Sequence, residues 1–418
     1  MASVLTDKHP CFSSSAQHKY ARMHLPVAPR CNISCNYCSR KFDCVNESRP
    51  GVTSEVLSPG DALEKFKKVK AAIPNLSVVG IAGPGDALAD WQETRETIEL
   101  IKTADANMLF CLSTNGLLLP EYAPEIVKLG VKHVTVTVNC IDPVVGAQIY
   151  GAVNYQGNRY LGTEGAEILL SNQQEGIMYL AGHGIVVKVN IVMIKMVNDW
   201  HIPDVVKKVK KLGASLTNIM PFLPAQGSVF SGLPQTSMRD VNDMRTACAG
   251  ELKQMTHCRQ CRADAIGLLS QDISNEFRGC AAAQEVEQVE PVASKPVPFV
   301  GNYKIAVTSK SDKLVDLHFG HAEEFRIYQV NNNRYELVET RRLEKYCSGS
   351  ADCDSEDKRR KAILTALSDC DAVLTMRIGY QVQKHLLKRG VMAVEYCYTI
   401  ESGLFYTVEQ LELKSAAV

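Results

Sequence analysis

The hydrophobic positions of this chain fall into short, mostly β-branched runs separated by longer stretches of helical spacing. Leu76-Ser77-Val78-Val79-Gly80-Ile81 is one such run, and others lie at Met23 to Ala28, Met108 to Leu112, Val134 to Val138, Ile185 to Ile194 and Leu216 to Met220. Between them, Gly60 to Ile73, Glu93 to Ala104, Glu125 to Leu129, Ala166 to Leu180 and Pro203 to Leu212 carry apolar residues at helical spacing. The first of these helices opens on Ser58-Pro59, an N-cap followed by a first-turn proline, and glycines at 130, 182 and 213 read as C-caps. Strands alternating with helices at this pitch predict parallel β/α units. Six units are too few for an eight-stranded barrel, so the expected fold is α/β, a partial (β/α)6 barrel whose site lies at the C-terminal ends of its strands.

The rhythm stops after residue 224. Residues 225–281 carry Cys248, Cys258, Cys261 and Cys280 and read as a metal-binding extension, while 282–302 has the Pro, Val and Glu composition of a linker. Residues 303–418 read as a separate small α/β domain, with strands at Lys304 to Thr308, Phe325 to Val330, Tyr335 to Val338 and Ala372 to Met376. Its helices are expected at Arg359 to Leu367 and Val382 to Lys388. The expected organisation is therefore a first region 1–281, made of a poorly structured polar tail 1–21, a barrel 22–224 and the extension 225–281, then the linker and the second domain.

The 418 residues exceed what one ordinary core holds. With 46 basic and 46 acidic side chains, there is no bulk electrostatic case for nucleic acid or an anionic membrane as partner. No apolar run reaches membrane-spanning length and the first residues lack signal-peptide character, so a cytoplasmic location is expected. In a reducing compartment, fifteen cysteines, most of them before residue 281, indicate metal or redox chemistry.

Cys31, Cys35 and Cys38, separated by three and then two residues, are the sharpest signal. Three thiolates can hold three corners of a cubane cluster and leave one iron open to a small molecule. A structural zinc would want a fourth ligand, for which Cys44 is the only nearby thiol. Cys258 and Cys261, with Cys248 upstream, can grip a second cluster; a zinc knuckle or a reactive dithiol is the alternative. Gly83 and Gly85 form a glycine loop at one strand end, and Ser113, Asn115, Thr137 and Asn139 stand at others. Such residues can bind ribose or carboxylate groups, or simply cap the strands. Glu47 and Arg49 can contact a cluster or substrate, or pair with each other.

The triplet and the aromatic Tyr37 resemble the radical S-adenosylmethionine (SAM) family, where the open iron chelates SAM. Six further motifs follow that likeness to the nitrogenase cofactor maturases within this family: His9-Pro10-Cys11, Glu47 to Val52, Ala82 to Gly85, Ser113 to Gly116, Thr135 to Asn139 and Cys258 to Gly267. Residues from about 304 to 408, marked by the His318 and His321 loop, resemble a NifX-like cofactor-binding domain of RNase H-like fold. The resemblance implies an enzyme that cleaves SAM, fuses two four-iron clusters and inserts a SAM-derived carbide into the eight-iron precursor of the nitrogenase cofactor. Three 4Fe-4S clusters and SAM are its implied cofactors. Implied partners are cluster-supplying scaffold and cofactor-carrier proteins and an electron donor such as ferredoxin or flavodoxin. A different radical SAM enzyme with auxiliary clusters and a non-catalytic cluster carrier are the competing readings. Within this picture Cys11, His24 and Cys111 are assigned to one substrate cluster, with the tail that bears Cys11 folding across the barrel mouth; a core histidine beside an unrelated cysteine is the plainer alternative.

Overall fold

The computed structural model describes residues 6–39, 50–225, 227–278, 301–309, 313–315, 317–331, 334–343, 361–376, 378–396 and 399–416. Glu47, Arg49, Cys44, Cys280, Cys347 and Cys353 lie outside these described residues. Two compact units result, one from the described residues up to 278 and one from those after 301, with Ser237–Arg239 grouped with the second.

In the first unit the strands begin with β1 (Ala21–His24), β2 (Ile33–Cys35), β3 (Leu76–Ile81), β4 (Leu109–Thr114) and β5 (His133–Thr137). They continue with β6 (Tyr150–Tyr155), β7 (Asn158–Tyr160), β8 (Val186–Met193), β9 (Leu216–Pro221), β10 (Ile266–Leu268) and β11 (Gln271–Asp272). The main sheet runs β11-β10-β1-β3-β4-β5-β8-β9. Its six strands β1, β3, β4, β5, β8 and β9 are parallel and adjacent in chain order. A chain that never reverses direction across the sheet winds one way around, as in a barrel, rather than to both sides. The extension closes one flank, pairing β10 antiparallel to β1 through Met23 and Ile266.

Local chemistry explains the crossovers. Helix Pro59–Ala72 starts where the Ser58 hydroxyl accepts from Asp61 N at 3.2 Å, and it buries Ala62, Phe66 and Val69 at i, i+4 and i+7. Lys65 on the same face is buried and ion-paired to Glu55. Helix Gly162–Gly182 brings Gly176 onto Leu119, where any Cβ would overlap that side chain.

Two expectations need correction. Residues 6–20 are packed, with His9, Phe12 and Ala16 buried on one side of successive turns. They cover the opposite end of the barrel from its mouth, since Phe12 packs with Leu216 and Val186, and His9 and Thr6 meet His133. Those partners are the first residues of β9, β8 and β5. The second concerns residues 143–160, to which the sequence reading assigned no element and which hold a short helix Pro143–Ile149 and the hairpin β6–β7, turning on Gln156 and Gly157 at φ 49° and 79°. With β2 they make a separate three-stranded sheet.

The second unit is a five-stranded mixed sheet of β12 (Asn302–Val307), β13 (Glu324–Asn331), β14 (Arg334–Arg342), β15 (Ala372–Thr375) and β16 (Met392–Glu395), ordered β14-β13-β12-β15-β16. β12, β15 and β16 are parallel, and β13 is antiparallel to both neighbours. Both faces are covered: Ala306 and Val373 enter one core, Ile305, Val307 and Leu374 the other. Strand β16 and the terminal helix Ile400–Ala416, which supplies Leu404 and Val408, complete the second core and have no counterpart in the sequence expectation.

Candidate functional site

The cysteine triplet is held by the sheet that sequence reasoning missed. Cys35 ends β2 opposite Tyr150, and the Asn36 amide donates to Ile149 O at 2.8 Å. Cys38 N closes a turn onto Cys35 O at 3.1 Å. Behind the loop, Ile33, Ile149, Tyr150 and Val153 form an apolar wall against which Cys31, Cys35 and Tyr37 pack. Burial, with Cys35 close by, pushes the Tyr37 phenol well up, so it stays protonated. Its oxygen accepts from Asn139 Nδ2 at 3.0 Å, and Asn139 Oδ1 accepts from Val192 N at 2.9 Å.

The glycine loop runs alongside. Gly85 N donates to Ala28 O and Asp86 N to Arg30 O, both at 2.7 Å, and a Cβ at Gly85 would overlap the Arg30 carbonyl. Only glycine permits that approach. Asp86 then organises the next strand end: Thr114 Oγ1 donates to both carboxylate oxygens at 3.0 Å and the Asn115 amide to Oδ2. From this anchored position Asn115 Nδ2 reaches Asn32 Oδ1 at 2.7 Å and the Cys31 sulfur at 3.8 Å.

One cavity of about 290 Å³ is lined by Cys31, Cys35 and Cys38, by Gly85, Ser113, Asn115 and Thr137, and by the sulfur and imidazole groups of Cys11, His24, Cys111, Cys258 and Cys261, with His9 also on its wall. Three predicted residues stand outside it. Asn139 is fully buried and spent on Tyr37 and Val192, so it positions the cysteine loop. Gly83, at φ 128°, shapes the loop without lining the cavity. Cys248 sits at the end of helix Met238–Cys248 with its sulfur 4.0 Å from Met244 Sδ, and is not brought to Cys258 and Cys261.

His24 and Cys111 lie in one row across the sheet, because His24 pairs with Gly80 and Gly80 with Cys111. A two-strand separation is about 10 Å between backbones, wide enough to seat a cluster between the two side chains. Gly80 keeps that seat open, since a Cβ there would lie 3.0 Å from His24 Cδ2. His24 Nδ1 faces the Arg262 carbonyl at 2.9 Å and must donate to it, which leaves the Nε2 lone pair available. Burial, with the Arg22 charge adding to it, lowers the imidazole to about 4, so it is neutral at pH 7. Burial pushes the Cys11 thiol up to about 12 and Cys111 to about 11, so metal coordination is what would make them thiolates. Among the described residues no three His, Cys, Asp or Glu converge on a single ion. A cubane does not require this, because each ligand takes a different iron.

The last pair is set by a tight loop in which Gln260 adopts φ 47° and its amide donates to Cys258 Sγ at 3.4 Å. Arg22, buried on β1, donates from Nη2 to Cys261 Sγ at 3.3 Å and from Nη1 to Gly267 O at 2.7 Å. Arg22, Asp86, Lys188 and the pair Asn190–Asn218 all line the cavity and were missed by sequence reasoning. The signal was present in β8: Lys188 and Asn190 are polar residues two apart in an otherwise apolar strand, hence on one face.

Comparison with known proteins gives a consistent picture. Residues 25–209 match the Radical SAM superfamily, and residues 301–404 match the family described as Dinitrogenase iron-molybdenum cofactor. The chain is 42% identical over 412 residues to the FeMo cofactor biosynthesis protein NifB of Klebsiella pneumoniae, covering 94% of this chain and 88% of that one. It is 41% identical to the Bradyrhizobium diazoefficiens NifB (93% and 83% covered) and 40% identical to that of Azotobacter vinelandii (92% and 84%).

Proposed function

The chain belongs to the NifB family of radical SAM proteins of FeMo cofactor biosynthesis, and from that premise we propose that it joins two four-iron substrate clusters within its barrel and inserts a SAM-derived carbon to yield an eight-iron product. The observation that carries this reading is the single cavity shared by the Cys31, Cys35, Cys38 triplet and two further donor sets, Cys11, His24, Cys111 and Cys258, Cys261. Cys31, Cys35 and Cys38 would hold a four-iron cluster, which when bound would supply the electron for SAM cleavage. The chain does the rest. Asn115 steadies the Cys31 sulfur, Gly85 lets the loop pass close to the mouth, and Ser113 and Thr137 offer hydroxyls there. The two other donor sets take the substrate clusters, with Arg22 holding Cys261 on one side and neutral His24 giving a ligand weaker than thiolate on the other. Methyl transfer and lyase-type chemistry, with three clusters in all, are part of this proposal.

For the second unit, the 3-2-1-4-5 strand order with the second strand antiparallel supports an RNase H-like fold. The proposal assigns contact with the product to its paired imidazoles His318 and His321, whose ring centres lie 5.2 Å apart. Scaffold and carrier proteins of nitrogenase assembly and a ferredoxin or flavodoxin are the partners this reading requires, and no helix of the described residues is long and apolar enough to cross a membrane. Anaerobic incubation of reduced, iron-loaded protein with SAM tests the proposal. Both 5′-deoxyadenosine and S-adenosylhomocysteine should form, and the product should activate cofactor-free nitrogenase. Deoxyadenosine alone would point to a different radical SAM reaction, and neither product to a carrier.

A further inference from the structure

Among the described residues, Lys188 is a buried cation with no anionic partner. It lies on β8, only 6% exposed, and lines the cavity. Its Nζ sits 4.5 Å over the centre of the Phe12 ring, and among the described residues no carboxylate pairs with it and no other atom accepts from it. Arg22, the other deeply buried cation of the cavity, differs in being tied to two main-chain carbonyls, to the Cys261 sulfur and to Asp272. The Phe12 ring comes from the N-terminal tail, where the Pro10 carbonyl, two residues before it, is bonded by His257 at 3.0 Å, so the aromatic face under the ammonium is held in place. In register Lys188 pairs with Thr135, and both line the cavity together with Cys11, His24 and Cys111.

A buried charge is costly when nothing compensates it, so a fold keeps one where an anion arrives. We propose that Lys188 receives the anionic iron–sulfur substrate at the Cys11, His24, Cys111 set, adding a counter-charge to that of Arg22, which is already engaged by Cys261 and Asp272. This rests on the assignment of those three residues to a substrate cluster. The two thiolates that bind it carry negative charge into a closed space, and His24 brings none to offset it; the ammonium, held on an aromatic face, does. Once the cluster is reduced or enlarged its charge becomes more negative, and the same cation holds it more firmly.

The test compares Lys188→Met, Lys188→Arg and Cys111→Ser in the full chain, reading iron per chain after reconstitution, the reduction potential of the bound clusters, and thermal unfolding of the iron-free proteins. Lys188→Met should lose about four irons per chain. Lys188→Arg should recover most of them, and in Lys188→Met any residual cluster at this set should be harder to reduce. Iron-free Lys188→Met should unfold at the same or a higher temperature than the parent, because an uncompensated buried charge has been removed. Full iron in Lys188→Met beside a loss in Cys111→Ser overturns the role of Lys188 alone. Full iron in Cys111→Ser overturns the ligand set itself. An iron-free Lys188→Met that unfolds earlier or fails to fold, while Lys188→Arg is stable, assigns the charge to the fold and overturns the proposal.

Discussion

His24 Nδ1 donates to the main-chain oxygen of Arg262 at 2.9 Å, so the first barrel strand and the extension jointly orient one imidazole. The partner is a carbonyl, which fixes the tautomer and leaves the Nε2 lone pair free on the side of Gly80 and the cavity. His24→Ala should therefore keep the triplet cluster and SAM cleavage while losing up to about four irons per chain and impairing the eight-iron product. Iron counting together with deoxyadenosine assay decides it. Full iron with normal product would return His24 to the role of a core residue.

Gly85 offers a sharper structural test. Its Cα lies against the Arg30 carbonyl immediately before the cysteine triplet, so Gly85→Ala forces the two segments apart. A cost of about 1–3 kcal/mol in stability is expected, from overpacking against backbone that cannot rotate away. The cluster absorbance of the triplet and SAM cleavage should fall with it. Gly182, with nothing within 4 Å of an added Cβ, is the matched control, and Gly182→Ala should be nearly neutral. Equal behaviour of the two variants in thermal unfolding would remove the close approach as a constraint.

The buried ion pair of the extension gives a pH signature. Arg262 donates to Asp264 through Nε at 2.8 Å and Nη2 at 3.1 Å, and Asp264 also accepts from Ser54 N at 2.8 Å. Burial alone would raise this carboxyl, but the Arg262 and Ser54 bonds outweigh it and bring it down to about 2. A depressed folded value stabilises the protein above the unfolded value near 4 and loses that contribution as pH falls toward 2. The contribution is about 2 kcal/mol. Denaturant unfolding of the iron-free protein should therefore weaken between pH 4 and 2 more in the parent than in Asp264→Asn, and parallel curves would dismiss the pair as the source.

The order of the six parallel strands was legible because it rests on local pattern, β-branched runs between capped helices, and the two cysteine motifs at Cys31, Cys35, Cys38 and at Cys258, Cys261 stood out by their spacing. What was not legible depended on tertiary partners. The hairpin after Ile149 has its signal in Tyr155-Gln156-Gly157-Asn158, but its pairing partner is the cysteine loop more than a hundred residues earlier. His9, Phe12 and Ala16 share one side of the tail, yet a polar composition hid that spacing, and only the starts of β5, β8 and β9 reveal which end of the barrel they close. Cys248 shows the opposite error. Proximity in sequence to Cys258 suggested a shared metal, whereas the end of a helix directs its sulfur to Met244.

Asn139 was expected at the SAM face and instead spans β8 and the cysteine loop, accepting from Val192 N and donating to the Tyr37 hydroxyl. A direct contact with SAM and a positioning role predict different kinetics. Removing a substrate contact raises KM, whereas loosening the Tyr37 loop disturbs the cluster that the loop carries and leaves KM for SAM near its parent value. Asn139→Ala should therefore lower SAM cleavage by about tenfold and broaden the signal of the reduced triplet cluster, consistent with loss of roughly one buried hydrogen bond. Tyr37→Phe removes the same bond from its other end. Because both variants break one interaction, the double variant should be little worse than either alone, with a coupling of about 1 kcal/mol. Additive losses, or a raised KM confined to Asn139→Ala, would place this amide at the substrate after all.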